Sequence, residues 1–150
     1  MSQSPLPSPY QMRTATEADW PTVQQLIEVA EGKTFSAEVF EKRFAFNIKS
    51  IDTHYWLITH QEEVIGFVSL HVQHVLHMQE LVGCIEELFI LPQHRGKGIG
   101  KAAMQHIISF CRLIDLEELR VRAGISDKAT EAFFEALGFT PRDCNFGYTL

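Results

Sequence analysis

The sequence predicts a single domain in which helices pack against a mixed β-sheet, that is, an α/β (α+β) fold. The chain has 150 residues, of which 45% are hydrophobic, and this is enough to bury one sizeable core. The spacing of apolar residues changes between strand-like and helix-like several times and runs strand, helix, strand in the second half. No internal repeat or linker is present, so we expect residues 10–150 to form one domain after a flexible tail of residues 1–9.

The first third of the chain predicts one strand followed by two helices. Residues 10–13 have strand composition, and Thr16 with Asp19 three positions later has the spacing of a capping box at a helix start. Gly32 is placed to end that helix, and Ser36 is placed to cap a second one. The expected buried face of the second helix contains Val39, Phe40, Phe44 and Ile48.

The middle of the chain predicts three strands. Residues 55–58 and 64–70 have strand composition and are close enough to form a hairpin. Residues 85–91 are apolar except for Glu86 and Glu87, which predicts a central strand covered on both faces. The presence of two carboxylates in such a strand therefore needs an explanation.

The last third predicts a parallel crossover unit and a final helix. A helical apolar stripe follows residue 98, and residues 118–121 have strand composition, so strand, helix and strand follow one another. A last helix is expected to begin near Asp127 and to end at Gly138. The apolar stripe of that helix contains Ala129, Ala132, Phe133, Ala136 and Leu137. One or two closing strands are expected within residues 140–150.

Composition limits the classes of function and partner. The formal net charge of −6 argues against nucleic acid as the main partner, because binding a phosphate backbone needs a broad basic face. No apolar run is long enough to cross a membrane and the N-terminus lacks a signal-peptide pattern, which predicts a cytoplasmic protein with no membrane partner. The three cysteines contain no Cys-x-x-Cys pair, so we expect neither a disulfide framework nor a zinc cluster.

A short basic segment with three spaced glycines precedes the helix of the crossover unit. Glycines let the backbone approach a ligand, and the free amides and positive dipole end of a helix start attract an anion, so the segment predicts a pyrophosphate site. A kinase-type phosphate loop is excluded because three residues, not four, separate Gly96 from Gly100, and Ala102 instead of Ser or Thr follows Lys101. The glycine spacing also differs from the dinucleotide-binding fingerprint. A glycine turn that only caps the helix is the remaining alternative.

The same segment carries Arg95, Gly98 and Gly100 in an Arg-x-x-Gly-x-Gly pattern, and residues 133–134 and 137–139 follow farther along. With this order of elements, nearly the whole chain resembles the Gcn5-related N-acetyltransferases (GNAT). The resemblance implies a mixed, mostly antiparallel central sheet with about four helices and a splayed central strand. It also implies an enzyme with acetyl-CoA as cosubstrate, which moves the acetyl group directly to the primary amine of a small molecule in a ternary complex.

The resemblance further implies which residues bind the cosubstrate. Arg95 supports the loop or contacts phosphate, and Asp127 lies beside the cosubstrate, although its plain role as a helix cap is an equal alternative. Phe134 stands where many members have tyrosine, and it is expected to pack on the cosubstrate arm. The pantetheine arm is expected beside Leu88, Phe89 and Ile90. The backbone amides expected to bind the pyrophosphate belong to Gly96, Lys97, Gly98, Ile99, Gly100 and Lys101.

Glu86 and Glu87 are the candidates for a general base, because a protonated amine must lose a proton before it can attack a thioester. Counting back by two from Leu88 places Glu86, and then Cys84, on the face expected to hold the acetyl group if the strand is regular. A bulge would favour Glu87 instead, and surface or paired carboxylates are the third alternative. Because Phe134 cannot donate a proton, the departing thiolate is expected to be protonated by Tyr148, Cys144 or water.

Three histidines near the end of the second strand of the hairpin raise the question of a metal site. His71 and His77 share one face of an extended strand and His74 lies on the other, which disfavours a common metal site. Residues 70–77 are also similar to aminoalkylphosphonate acetyltransferases, a branch that uses a divalent metal, so a metal role is kept as the alternative.

Two other classes of function are kept as alternatives to acetyl transfer to a small molecule. They are a non-catalytic acyl-CoA sensor, suggested by Phe134, and a protein or peptide N-acetyltransferase. Homodimers are frequent in the family, yet no feature of this sequence demands one.

Overall fold

A five-stranded sheet forms the centre of the fold, and the computed structural model describes residues 5–122, 128–141 and 148–150. The strands lie across the sheet in sequence order. Their bounds are β1 (Tyr10–Thr14), β2 (Thr53–His60), β3 (Glu63–Gln73), β4 (Val82–Ile90) and β5 (Glu118–Val121). β1 to β4 pair antiparallel, and β4 pairs parallel with β5. The predicted mixed, mostly antiparallel sheet and its parallel crossover are therefore confirmed.

Four α-helices lie in the described ranges, and local signals in the sequence set several of their ends. Their bounds are α1 (Trp20–Glu31), α2 (Ala37–Ile48), α3 (Ile99–Leu113) and α4 (Lys128–Ala136). Gly32 adopts a φ of 64° and its N–H donates to the carbonyl of Glu28 at 2.9 Å, which ends α1. The Ser36 hydroxyl accepts a hydrogen bond from the Val39 amide at 3.3 Å, which caps α2 as predicted.

The helices cover the two faces of the sheet separately. α3 and α4 pack on one face, which we call the α3–α4 face, and α1 and α2 pack on the other, the α1–α2 face. Buried residues of the α3–α4 face include Ile58, Val68, Leu70, Ile85, Ile99, Met104 and Phe134. Buried residues of the α1–α2 face include Val23, Leu26, Phe44, Tyr55, Leu57 and Phe67.

Several expectations about burial are wrong. Val39 is 50% exposed, because the inner face of α2 is centred on Phe44 and Val39 lies at its flank. In α4 the buried residue is Phe134, and the alanines expected on its inner stripe are exposed. Those alanines are Ala129, Ala132 and Ala136. Leu6 is 5% exposed and belongs to the core, although it lies in the segment that sequence analysis expects to be a flexible tail.

Some predictions fall partly or wholly outside the described residues. Asp127 and Cys144 are among them, and so is most of the segment expected to form closing strands. Residues 140–141 and 148–150 are described and are not part of a strand. No helix in the described ranges is long and apolar enough to span a membrane.

Candidate active site

A bulge in β4 separates the two glutamates from the regular strand. Val68 of β3 pairs with Leu88, whereas Leu70 pairs with Ile85, so that two residues of β4 lie opposite Ser69. These two residues are Glu86 and Glu87. Such a bulge leaves one residue unpaired and locally re-aims the side chains of the strand.

The bulge places the residues before it and after it on different faces of the sheet. Leu88 packs against the core of the α3–α4 face. Cys84 pairs opposite His71, whose ring contacts Tyr55 of the α1–α2 face with centroids 6.1 Å apart. Leu88 and Cys84 therefore lie on different faces, because the extra residue breaks the alternation between them. β4 is thus not the regular strand that would favour Glu86, but has the bulge for which sequence analysis favours Glu87.

Glu87 is held by Ser69 in a partly buried position. The Ser69 hydroxyl donates to Glu87 Oε1 at 2.9 Å, and the Glu87 amide donates to Ser69 Oγ at 2.9 Å. Burial raises the pKa of Glu87 above its ordinary value of 4.5, and the charges of Glu86 and Glu31 act in the same direction. The Ser69 hydrogen bond and the nearby His71 oppose this rise in pKa without cancelling it. A carboxylate with a raised pKa is suited to accept a proton.

Glu86 has different partners from those of its neighbour. Its Oε1 accepts a hydrogen bond from the Cys84 thiol at 3.3 Å and lies 3.6 Å from Nη1 of Arg122. Burial raises the pKa of Cys84 to about 12, and the hydrogen bond to Glu86 adds to the effect. Cys84 is thus a neutral thiol at physiological pH and not a thiolate nucleophile.

Beside the bulge, β4 has a backbone edge that no described strand covers; we call it the free edge. β5 pairs with β4 only from Val82 to Ile85, and the last bond in this direction runs from the Arg122 amide to the Ile85 carbonyl. The Leu91 amide bonds to β3, and because strand residues alternate in direction, the N–H and C=O groups of Leu88 and Ile90 face the β5 side. Among the described residues no strand covers this edge beyond Ile85, and the splaying of β4 from β5 stays a prediction.

Residues 95–101, which we call the glycine loop, bring free amides to the end of that edge. Gly96 and Gly98 have φ values of 76° and 78°, and a side chain at either would meet no atom within 4 Å. The first bond of α3 runs from the Ala102 amide to the Gly98 carbonyl at 3.1 Å. The three preceding amides, those of residues 99–101, therefore have no acceptor within the helix, an arrangement that favours anion binding.

Arg95 fixes the loop to the end of β4. Its Nε donates to the Ile90 carbonyl at 2.8 Å, and its guanidinium carbon lies 5.3 Å from the centre of the Phe89 ring. These contacts satisfy the first of the two roles expected for Arg95, support of the loop. They also occupy the Ile90 carbonyl, which leaves the Ile90 amide as the group of that residue that faces the free edge.

Two aromatic residues expected at the site differ in burial. Phe134 is 5% exposed and packs between the rings of Phe133 and Phe139, so its place is in the core. Phe133 is the ring nearer to the loop, since a Cβ added at Gly100 would lie 3.4 Å from its Cζ. Tyr148 is 89% exposed, and its role as proton donor stays a prediction.

The three histidines have separate surroundings. His74 pairs with Asp52 at 3.1 Å, whereas His71 contacts Tyr55, and His77 is exposed. In the parts of the chain that are described, no three His, Cys, Asp or Glu side chains are grouped closely enough to bind a metal ion.

Sequence analysis missed several residues of this site. Ser69, Arg122 and the pair Tyr10 and His94 are each brought to the site by contacts between distant parts of the chain. The Tyr10 hydroxyl and His94 Nδ1 lie 2.8 Å apart, which joins β1 to the loop. No local pattern signals such contacts, although a serine in an apolar strand, as at Ser69, indicates a buried hydrogen bond.

Comparison with known proteins agrees with this geometry. Residues 20–139 match the model of the acetyltransferase (GNAT) family. The chain is 29% identical over 139 residues to an aminoalkylphosphonate N-acetyltransferase of Salmonella typhimurium, and the match covers 93% of this chain and 89% of that protein.

Solved structures share the fold at lower identity. A transcriptional regulator from Bacillus halodurans has a TM-score of 0.84 and 17% identity over 94% of this chain and 99% of its own. An acetyltransferase from Trypanosoma brucei has a TM-score of 0.78 and 23% identity, and the coverage is again 94% and 99%. Because these two proteins differ in their stated activities, the structural similarities establish the fold alone. With the family match over residues 20–139, the chain belongs to the acetyltransferase (GNAT) family and is an N-acetyltransferase.

Proposed function

We propose that the protein transfers the acetyl group of acetyl-CoA to the primary amine of a small molecule within a ternary complex. One observation carries the proposal: the free edge of β4 has the carboxylates of the bulge at one end and the amides of the glycine loop at the other. An extended thioester arm beside Leu88 and Ile90 would join the pyrophosphate site to the reaction site. An arm of this kind binds like an added strand.

The loop and the strand would divide the binding of acetyl-CoA. The amides of residues 99–101 would bind the pyrophosphate, and the lysines Lys97 and Lys101 would add positive charge there. Arg95 would keep the loop in place through its bond to Ile90. The Leu88 amide would donate to the thioester oxygen and stabilise the negative charge that develops on it.

Glu87 is the better candidate for the general base. It would take a proton from the ammonium group of the acceptor, whose nitrogen would then attack the thioester carbon. The new C–N bond forms as the C–S bond breaks, and the CoA thiolate takes a proton from water or Tyr148. Glu86 is the weaker candidate because Arg122 and Cys84 already engage its carboxylate.

Cys84 takes no covalent part in this mechanism. A thiol whose pKa is raised to about 12 is almost entirely protonated near pH 7, and the thiolate is the reactive form. Direct transfer, with no acetylated enzyme, therefore suits the site better than a two-step transfer through cysteine.

The relative from Salmonella typhimurium suggests the class of acceptor. Its name specifies aminoalkylphosphonates, which are small primary amines, so we include these among the proposed acceptors. The test is CoA release from acetyl-CoA, measured by thiol detection, with aminoalkylphosphonates, polyamines, amino acids and a lysine peptide, each with and without divalent metal. The mass of the product confirms the acetylated amine.

Each outcome of this test has a distinct meaning. Release that depends on a small primary amine supports the proposal and identifies the acceptor class. Release with the peptide alone would replace it with a peptide N-acetyltransferase. If calorimetry detects acetyl-CoA binding but no acceptor causes release, the acyl-CoA sensor becomes the better account.

A further inference from the structure

We propose that Arg122, assisted by Arg120, binds an anionic group of the acceptor, so that the preferred acceptors are short zwitterionic amines. The inference rests on the proposed function and specifies which part of the acceptor the protein distinguishes. It assigns a role to Arg120 in β5 and to Arg122 directly after β5, neither of which the transfer reaction itself requires.

The arginines stand beside the carboxylates of the bulge. Arg120 pairs opposite Cys84 in the parallel ladder, and Arg122 comes two residues later, so both point to the α1–α2 face. Arg122 Nη1 is 3.6 Å from Glu86 Oε1. Glu86 and Glu87 are consecutive residues of the bulge, so Arg122 contacts the carboxylate of the residue that precedes the proposed base.

Both guanidinium groups retain accessible donors. The side chain of Arg122 is 47% exposed and that of Arg120 is 38% exposed. Arg120 contacts Glu118 through Nε at 2.8 Å, and the contact between Arg122 and Glu86 is longer than an ordinary hydrogen bond. Because a guanidinium has five N–H donors in a planar fork, each side chain has donors left for a phosphonate, carboxylate or sulfonate.

The arrangement of charge favours an acceptor that carries both a positive and a negative group. The amine must reach Glu87, and the ammonium form is attracted by the carboxylates of the bulge. The arginines stand on the neighbouring strand, about 5 Å away by the usual spacing of strands. A short spacer between amine and anion matches that separation, whereas a long polyamine would place a second positive charge against Arg122.

The test compares two amines that differ in the anionic group, 2-aminoethylphosphonate and propylamine. We expect the wild type to prefer 2-aminoethylphosphonate in kcat/KM. Arg122→Gln should lower kcat/KM for that acceptor by about 10- to 100-fold, mainly through KM, because a charge-assisted hydrogen bond is lost. The loss for propylamine should be much smaller, so that the preference for the anionic acceptor falls. Arg122→Lys should restore part of the loss, and Arg120→Gln should cause a smaller loss of the same kind.

Controls separate anion binding from structure. Arg112→Gln makes the same chemical change on exposed α3 and should alter neither acceptor's kinetics, and thermal unfolding of each variant checks that it folds. If Arg122→Gln lowers kcat/KM equally for both amines, the residue acts only by holding Glu86 and the inference is overturned. If the wild type acetylates propylamine as well as 2-aminoethylphosphonate, the inference fails while the proposed function stands. If it acetylates no amine, both fail.

Discussion

Replacing Glu87 with glutamine tests the proposed base directly. The glutamine side chain would keep a carbonyl oxygen to accept the Ser69 hydroxyl, and the backbone amide of the residue would still bond to Ser69 Oγ. The variant could no longer accept a proton from an ammonium group. General-base catalysis contributes about 10²- to 10⁴-fold, so we expect kcat to fall by that factor. The loss corresponds to about 3–5 kcal/mol in the activation barrier.

The pH dependence of Glu87→Gln gives a second readout. Burial raises the pKa of Glu87 above 4.5, so the base is lost as pH falls through a value higher than that of an exposed carboxylate. The ratio of wild-type to variant kcat/KM should therefore decline toward acid pH. Taking this ratio at each pH cancels the titration of the acceptor amine, which is common to both enzymes.

The free energy of unfolding supplies an independent check, because Glu87→Gln should raise stability while it lowers activity. The folded state favours the protonated form of Glu87, and this contribution to stability is complete below about pH 4.5 and lost as pH rises through the folded-state pKa. Glutamine is neutral throughout. Glu87→Gln should therefore have a higher free energy of unfolding than the wild type at pH 7, and the difference should disappear in acid.

Glu86→Gln is the matched control for Glu87→Gln. It makes the same change one residue away and keeps an oxygen that can accept from the Cys84 thiol, so kcat should fall by less than about tenfold. The assay for both variants is CoA release at saturating acetyl-CoA. If Glu86→Gln loses about 10²-fold or more while Glu87→Gln keeps roughly a third of the wild-type rate, the assignment of the base is refuted.

Three further predictions concern the loop and the fold. Gly98→Ala should destabilise the protein by about 1–2 kcal/mol, because φ is 78° there, and should also raise KM for acetyl-CoA. Thermal unfolding measures the first effect and steady-state kinetics the second. An unchanged KM would argue against the loop as the pyrophosphate site. Tyr10→Phe removes the 2.8 Å hydrogen bond to His94 and should raise KM for acetyl-CoA about fivefold at constant kcat, whereas a fall in kcat alone would contradict a role in holding the loop. The two hydrogen bonds from Arg13 lower the pKa of Asp19 to about 2, so Asp19→Asn should cost about 1 kcal/mol at pH 7 after allowing for the exposure of Arg13. That difference in unfolding free energy should shrink as pH falls from 3.8 toward 2, and a difference independent of pH would refute the ion pair as its cause.

Local signals made most of the fold predictable. Ser36 and Gly32 mark helix ends through bonds to their own neighbours, so a few adjacent residues carry the information. Strand composition likewise located the strands, because β-branched and aromatic side chains pack well on a pleated, partly buried surface. Burial within helices was harder to predict: Val39 is half exposed, since the width of the inner face of α2 depends on what the sheet places against it.

The identity of the base shows where local signals stop. Glu86 and Glu87 are the same residue type at consecutive positions, and only the bulge decides which carboxylate bonds to Ser69 and which one pairs with Arg122. The bulge belongs to the pairing of β4 with β3 and the ion pair to the end of β5, so neither is encoded in the segment that contains the glutamates. Two identical side chains at adjacent positions thus acquire different surroundings from long-range packing: burial raises the pKa of Glu87, while Arg122 lies 3.6 Å from the carboxylate of Glu86. If both proposals hold, the same geometry also links catalysis to recognition, because the guanidinium that engages Glu86 would bind the anionic group of the acceptor.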